Sequence, residues 1–258
     1  MNAPARRNVP MGVLRACFVA VNLVLSTTFC GMSVIIAALF RVKDRPGSPY
    51  DWSPRVWGRT HLWIAGAKIV EHGVENKAGA QHIYVANHCA NFDIFALASQ
   101  LPWIKFVVKS ELFTVPILGP AMRAAGMIAI ERGNPKAAFA SYSVASQRIA
   151  AGASVAVYPE GTRGNAYPLR HFKKGPFVLA VQAQAAIVPV VIYGVLDVQR
   201  KGEFRVYPGT IHMHYLPAIK TTGLTYEDRD ALAQRAYDAM AACLRDAYGV
   251  ESPAFADT

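Results

Sequence analysis

Charge is scarce in this chain, and negative charge scarcer still: only 17% of its 258 residues are charged, with 17 acidic side chains against 27 basic ones. With 53% hydrophobic residues, so little charge excludes disorder for most of the sequence. The net charge of +10 points to an anionic partner: nucleic acid, an anionic membrane surface or a phosphorylated substrate. A mean hydropathy of +0.20 turns that choice toward the membrane and away from nucleic acid. Cysteine is limited to Cys17, Cys30, Cys89 and Cys243, none in a C-x-x-C pair, which excludes the usual zinc and redox frameworks and leaves free thiols in a reducing compartment. Sixteen prolines and 19 glycines without a period exclude collagen-like and low-complexity classes. No internal repeat signals a solenoid or propeller. A G-x-x-x-x-G-K-[ST] loop and a G-x-G-x-x-G fingerprint are both missing, so nucleotide hydrolysis and hydride transfer lack support. What remains is an enzyme-sized globular fold of one to two domains.

Long apolar sequence is present at one place. No charged residue occurs between Ala16 and Phe40, a run of 25 residues. As one helix it reaches about 37 Å, enough for the ~30 Å hydrocarbon core. Arg6, Arg7 and Arg15 resemble the basic start of a signal peptide, but no small-x-small cleavage site precedes the basic stretch 41–45. Basic residues flank both ends, so two arrangements stay open: a single span, or a two-helix dip broken near residues 26–28 that keeps both ends on the cytoplasmic side. Residues 1–45 are expected to form a membrane-anchoring segment, and 46–258 the functional domain. After the break at Pro46 and Pro49, Trp52, Trp57 and Trp63 alternate with Arg55 and Arg59. That mixture suits both a headgroup layer and an amphipathic helix packed on a core, on different faces.

Beyond Gly66 short β-type runs alternate with helical stretches. Strands are expected at 68–71, 83–86, 104–108, 127–130, 154–158 and 187–193, most of them apolar enough to be buried on both faces. Helices are expected at 93–99, 135–151 and 174–186. Two further strands, 204–207 and 210–216, precede a last helix at 226–248 with Leu232, Ala236, Met240 and Leu244 at helical spacing. The alternation predicts an α/β fold: a mostly parallel central sheet flanked by helices, behind an N-terminal membrane-associated helical segment.

Sites in open α/β sheets form beyond the carboxyl ends of strands. The strand at 83–86 ends in Asn87-His-Cys-Ala-Asn-Phe-Asp93, which sets His88 and Asp93 five positions apart across a strand-to-helix turn. An aspartate opening a helix is favoured by the helix dipole and can accept from one imidazole nitrogen, leaving the other as a base for a substrate hydroxyl. The alternative is a capping aspartate beside a surface histidine. The strand at 154–158 runs into Pro159-Glu-Gly-Thr-Arg-Gly164, where the glycines permit close backbone approach and Arg163 offers a planar fork for phosphate, or pairs with Glu160 in a solvated turn. Lys173 and Lys174 add cations at a helix start. Ser154, in Gly152-Ala-Ser-Val-Ala156, begins a strand and lacks the strand-to-helix turn of a hydrolase nucleophile. His212 and His214 share a strand face, but no third ligand stands at metal-binding spacing.

Taken together, these segments resemble the glycerolipid acyltransferase family. Its Asn-His-x4-Asp motif is matched by Asn87, His88 and Asp93, and an apolar strand ending in an acidic residue and arginine is matched by Gly126-Met-Ile-Ala-Ile-Glu-Arg132. Its Phe-Pro-Glu-Gly-Thr-Arg motif is matched from Tyr158 to Arg163 with tyrosine for phenylalanine, and a proline-centred strand is matched by Val188-Pro-Val-Val191. Val108-Lys-Ser-Glu-Leu112 and Pro116-Ile-Leu-Gly119 also fit, and the similarity covers residues 57–216. The chain departs at Ala90, where many members carry serine, and at Glu131, where aspartate is common.

The resemblance implies transfer of a fatty acyl group from acyl-CoA or acyl carrier protein to the sn-2 hydroxyl of lysophosphatidic acid, giving phosphatidic acid. It implies His88 as general base, Asp93 as its orienting partner, and Lys109, Arg132, Glu160, Gly161, Thr162 and Arg163 around the acceptor, with no metal and no cofactor beyond the thioester donor. The expected place is the cell membrane, with the catalytic domain on the cytoplasmic side among membrane lipids. A different lysolipid acceptor such as a lyso-aminoacyl lipid, a lipid hydrolase and a non-catalytic membrane-binding module are the competing readings.

Overall fold

A computed structural model of the protein describes residues 9–77, 81–131 and 135–255. Helix α1 (Val9–Leu39) leads into α2 (Pro49–Ala65), then strand β1 (Ala67–His72), β2 (Ile83–Ala86), α3 (Phe92–Gln100) and β3 (Ile104–Lys109). There follow α4 (Leu118–Ala124), β4 (Ile128–Ile130), α5 (Pro135–Ala150), β5 (Ser154–Val157), α6 (Gly175–Ala183) and β6 (Ile187–Tyr193). The chain closes with α7 (Val195–Val198), β7 (Gly209–Tyr215) and α8 (Arg229–Tyr248).

The seven strands form one sheet in the order β1-β7-β6-β2-β5-β3-β4, parallel at every pairing except the antiparallel β6–β7. Strands β2 and β5 are buried at every residue and β6 at six of seven, as continuous apolar runs require when helices cover both faces. One core packs α2 and α3 against the sheet through Leu62, Phe92, Phe95 and Leu97. The other packs α5, α6 and α8 against the opposite face through Ile149, Leu179, Ala236 and Met240.

Helix α1 runs unbroken through residues 26–28, so the dip does not form: the Ser26 hydroxyl donates back to the Asn22 carbonyl at 2.6 Å and the helix continues. It turns at residues 40–48 and pairs antiparallel with α2 through a polar seam. Asn22 Nδ2 donates to Thr60, Trp57 Nε1 to Thr27 at 3.0 Å, and the hydroxyls of Ser33 and Ser53 lie 2.7 Å apart. The expected boundary at 45/46 falls in that turn, which is tied to the sheet. The buried Lys105 Nζ reaches both carboxylate oxygens of Asp44 at 2.8 and 3.0 Å, and Trp103 donates from its ring to Asp44 and from its backbone to Asp51. Trp57 packs inward on Phe95, whereas Trp63 is 80% exposed, so the tryptophans divide between core and surface.

Gly58 lets α2 seat on α3: a Cβ there would stand 2.5 Å from the Phe95 carbonyl oxygen. The expected strand at 204–207 is absent. That segment crosses instead toward α1, where Val206 N donates to Gly12 O and the Tyr207 ring covers Gly12, so its β-rich composition serves packing and not a ladder. The last expected helix begins as a 3₁₀ turn at Tyr226–Asp228 before α8.

Candidate active site

The carboxyl ends of the adjacent parallel strands β2, β5 and β3 point to one side of the sheet, and the loops leaving β2 and β5 meet there. Asn87, buried directly after β2, donates from Nδ2 to Ile192 O at 3.0 Å and accepts from Ile192 N at 2.7 Å, so its amide extends the pairing with β6 and pins the start of the loop. Next to it stands His88, its side chain 12% exposed, with Nδ1 2.8 Å from Oδ2 of the fully buried Asp93. The same oxygen accepts the backbone N–H groups of Cys89 and Ala90 at 2.6 and 2.8 Å. Asp93 sits in the first turn of α3, so loop amides and helix dipole both fix the carboxylate. With Nδ1–H donated to it, Nε2 of His88 carries the free lone pair. The imidazole lies flat on the Tyr158 ring, centroids 4.0 Å apart and planes 17° from parallel.

The loop after β5 is bound to this dyad through Glu160. One buried oxygen accepts His88 N–H at 2.9 Å and the other accepts Arg170 Nε at 2.7 Å, while Arg170 also donates to the Thr162 carbonyl. Burial pushes the Glu160 carboxyl upward, and the His88 N–H and Arg170 oppose it. Gly164 N returns a bond to His88 O at 2.7 Å. Gly161 adopts φ 72°, and a Cβ there would stand 2.8 Å from Lys173 Cε, so glycine is what lets the lysine lie across the loop. Arg163 reaches the Asn91 side chain at 2.9 Å.

These loops form one end of a cavity of about 1170 Å³. Its polar lining includes His88, Thr162, the cations Lys109, Arg163 and Lys173, and the carboxylates Glu111 and Glu131. Cys30 and Val34 of α1, Trp57 of α2, Phe106 of β3, and Ala121 and Met122 of α4 belong to its apolar lining. A dyad whose imidazole lines the cavity, three cations on the wall and a large apolar lining can hold an amphiphile with an anionic head and activate a hydroxyl near that head.

Known proteins resemble this chain in sequence and in fold. A family model described as Acyltransferase matches residues 68–193. The chain is 32% identical over 233 residues to the 1-acyl-sn-glycerol-3-phosphate acyltransferase of Limnanthes douglasii, covering 88% of this chain and 82% of that one. This chain belongs to the acyltransferase family. The human 1-acyl-sn-glycerol-3-phosphate acyltransferase alpha is 33% identical over 187 residues, 71% of this chain and 66% of that one. Among solved structures, the 1-acyl-sn-glycerophosphate acyltransferase PlsC of Thermotoga maritima superposes with a TM-score of 0.76 at 20% identity, covering 95% of this chain and 98% of that one, and so shares the fold.

In this acyltransferase His88, Lys109, Gly161, Thr162 and Arg163 line the cavity, and Asp93 stands behind His88. Glu160, expected at the acceptor, is off the cavity wall and holds the backbone of the dyad loop. Arg132 lies outside the described residues. Glu131 is on the wall. No sequence signal marks Tyr158 as a stacking platform, and the partner of Glu160 is Arg170 in place of the expected Arg163. Lys173, expected only as a cation at a helix start, lines the cavity. The α1 and α2 contributions to the wall have no local signal, because they arise from tertiary pairing.

A second titratable cluster lies at the β1–β7 side of the sheet. His72 supplies a third imidazole beside His212 and His214, but the rings of His72 and His214 stack 4.1 Å apart and nearly parallel, and His214 Nε2 is bonded to Tyr248 Oη at 2.6 Å. Stacked rings do not converge their lone pairs on one point, and among the described residues no group of three His, Cys, Asp or Glu side chains is arranged to hold a metal. Burial first, then His72 and His212, push the His214 imidazole down to about 4. Its unfolded value is higher, so the unfolded chain takes up the proton first and stability falls as pH drops from about 6.5 toward 4. With water reaching much of the ring, screening leaves an expected loss of about 1 kcal/mol. It should disappear in His214→Gln when urea unfolding is compared at pH 7 and at pH 4.5.

Proposed function

We propose that the protein transfers a fatty acyl group from an acyl thioester to the sn-2 hydroxyl of 1-acylglycerol-3-phosphate, forming phosphatidic acid. The observation that carries this reading is the His88–Asp93 dyad opening onto one cavity that joins the cations Lys109, Arg163 and Lys173 to a large apolar lining. The relatives, both 1-acyl-sn-glycerol-3-phosphate acyltransferases by name, support it. In the proposed reaction His88 Nε2 takes the proton of the acceptor hydroxyl as that oxygen attacks the thioester carbonyl carbon. The tetrahedral adduct then collapses, the C–S bond breaks, and the thiolate of coenzyme A or acyl carrier protein leaves, able to recover the proton from His88. Asp93 stabilises the imidazolium formed in between. The acceptor phosphate would sit among Lys109, Arg163 and Lys173, where bidentate arginine contact is strong. No cofactor is required.

Both acceptor and product are bilayer lipids, which gives α1 its place in the reaction. Its 31 residues, about 46 Å long, are apolar enough to cross a membrane, yet they pack on Tyr207 near one end and on α2 and α4 near the other. A helix tied to its domain at both ends favours lying along one leaflet with its uncovered side chains in lipid, the catalytic domain facing the cytoplasm where the thioester donors are.

Membrane-bound protein incubated with acyl-CoA or acyl carrier protein and a panel of lysolipids should yield phosphatidic acid as the main product. Arg163→Ala should raise the KM for the phosphorylated acceptor about tenfold to a hundredfold, the worth of a charged hydrogen bond, with kcat changed far less. Preferential acylation of a lysolipid without phosphate, indifferent to Arg163, would overturn the acceptor assignment. Free fatty acid as the product would indicate a hydrolase.

A further inference from the structure

The dyad has a buried loose end. Asp93 Oδ2 receives His88 Nδ1 and two backbone N–H groups, whereas Oδ1, equally buried, has no hydrogen-bond partner among the described residues. The hydroxyl of Tyr158 is in the same condition: buried, without a partner, at the edge of the ring on which His88 lies. A buried carboxylate oxygen and a buried hydroxyl are each costly when unpaired, and each is what the other lacks. The family pattern that the sequence resembles is written with phenylalanine at this position, where this chain carries tyrosine.

We propose that Tyr158 is a positioning residue for the reaction, its hydroxyl donating to Asp93 Oδ1 through a single bridging water. This inference rests on the acyl-transfer reading of the dyad. The phenol is suited to be a permanent donor, since burial first and the Asp93 carboxylate second push its proton affinity well above the usual tyrosine range. The bond would fix the second oxygen of the carboxylate and hence the plane in which Oδ2 meets His88. It would also share the carboxylate charge, lowering the basicity that the imidazolium sees. Among the described residues, the other ionisable groups around His88 are Glu160 and Arg170 behind its backbone, Cys89 beside it, and Lys109, Glu111, Glu131, Arg163, Lys173, Tyr142 and Tyr226 on the cavity wall. None of them is bonded to Asp93 Oδ1.

Tyr158→Phe deletes the hydroxyl and keeps the stacking ring, and phenylalanine is the residue of the matched pattern, so the variant is expected to fold. With no donor on Oδ1 the carboxylate becomes more basic, holds the imidazolium more firmly, and His88 gives up its proton at higher pH. Full-length enzyme on phosphatidylglycerol-containing vesicles, assayed between about pH 5 and 9, should show the acid limb of kcat/KM moved upward by about half a unit to one unit, with kcat at pH 7 lowered about threefold to tenfold and KM unchanged. His88→Ala, assayed alongside, should turn over at least about a hundredfold more slowly. An acid limb superimposed on wild type overturns the inference, whatever happens to kcat or to thermal stability. Wild-type-like turnover by His88→Ala would overturn instead the reading on which it rests.

Discussion

Replacing His88 by alanine is expected to lower acyl transfer by about 10²- to 10⁴-fold, the range that a positioned general base contributes. The fold should persist, because the imidazole makes one hydrogen bond and one stacking contact while the loop that carries it is held by other groups: Asn87 on β6, His88 N on Glu160, and Gly164 N on His88 O. Asp93→Ala should lose comparable activity for a different reason and at a cost in stability. It strips the acceptor from two buried backbone N–H groups, each worth about 1–3 kcal/mol when left unpaired. Asp93→Asn separates the two effects. Its amide oxygen can still accept those N–H groups, so the melting temperature should recover most of the loss, whereas the stabilising charge for the imidazolium is gone and turnover should stay low. Steady-state kinetics beside thermal melts decide the matter: wild-type-like kcat in either the histidine or the asparagine variant would remove the dyad from the mechanism.

The dyad is legible in the sequence because its parts are local. A strand rule, a turn and a helix start suffice to bring residues 88 and 93 together, and the same rule places the loop after β5 beside them once the sheet is parallel. Arg170 was not legible, since its pairing with Glu160 closes a loop whose path no periodicity describes. The three stacked imidazoles were half legible: alternation put His212 and His214 on one face, but only the parallel pairing of β1 with β7 sets His72 against them. Residues 204–207 failed in the opposite sense. Phe204-Arg-Val-Tyr207 has strand composition, yet Tyr207 closes over Gly12, and that demand comes from α1, almost two hundred positions away. The length of α1 was visible as an uncharged run, but its continuity through residues 26–28 depends on where its serine hydroxyls turn. They are spent within α1 and across to α2, so polar residues that suggested a break instead make the seam of the hairpin.

The outward face of α1 carries the second large effect. Phe18, Val21, Val24 and Leu25 are 57–66% exposed, while Ala16, Cys30, Val34 and Ala37 on the inner side are buried against the domain. Converting the four outward residues to serine should therefore leave packing and melting behaviour close to wild type while stripping the membrane-facing surface. Each such side chain is worth about 1.5–3 kcal/mol on leaving water, so partition into vesicles should fall by several orders of magnitude. Flotation with vesicles reads this directly, with circular dichroism as the control on folding. The quadruple variant should also separate chemistry from access. Because the dyad does not contact these positions, kcat toward a short-chain lysolipid dissolved below its micellar concentration should be retained, whereas turnover of bilayer-embedded acceptor should collapse. A variant that still floats with vesicles would show that another surface, such as the exposed Trp63 and Phe40 with their basic neighbours, holds the enzyme on the bilayer. A variant that loses both activities while folded would mean that lipid around α1 shapes the cavity wall contributed by Cys30 and Val34, and that the membrane is part of the active site as well as its location.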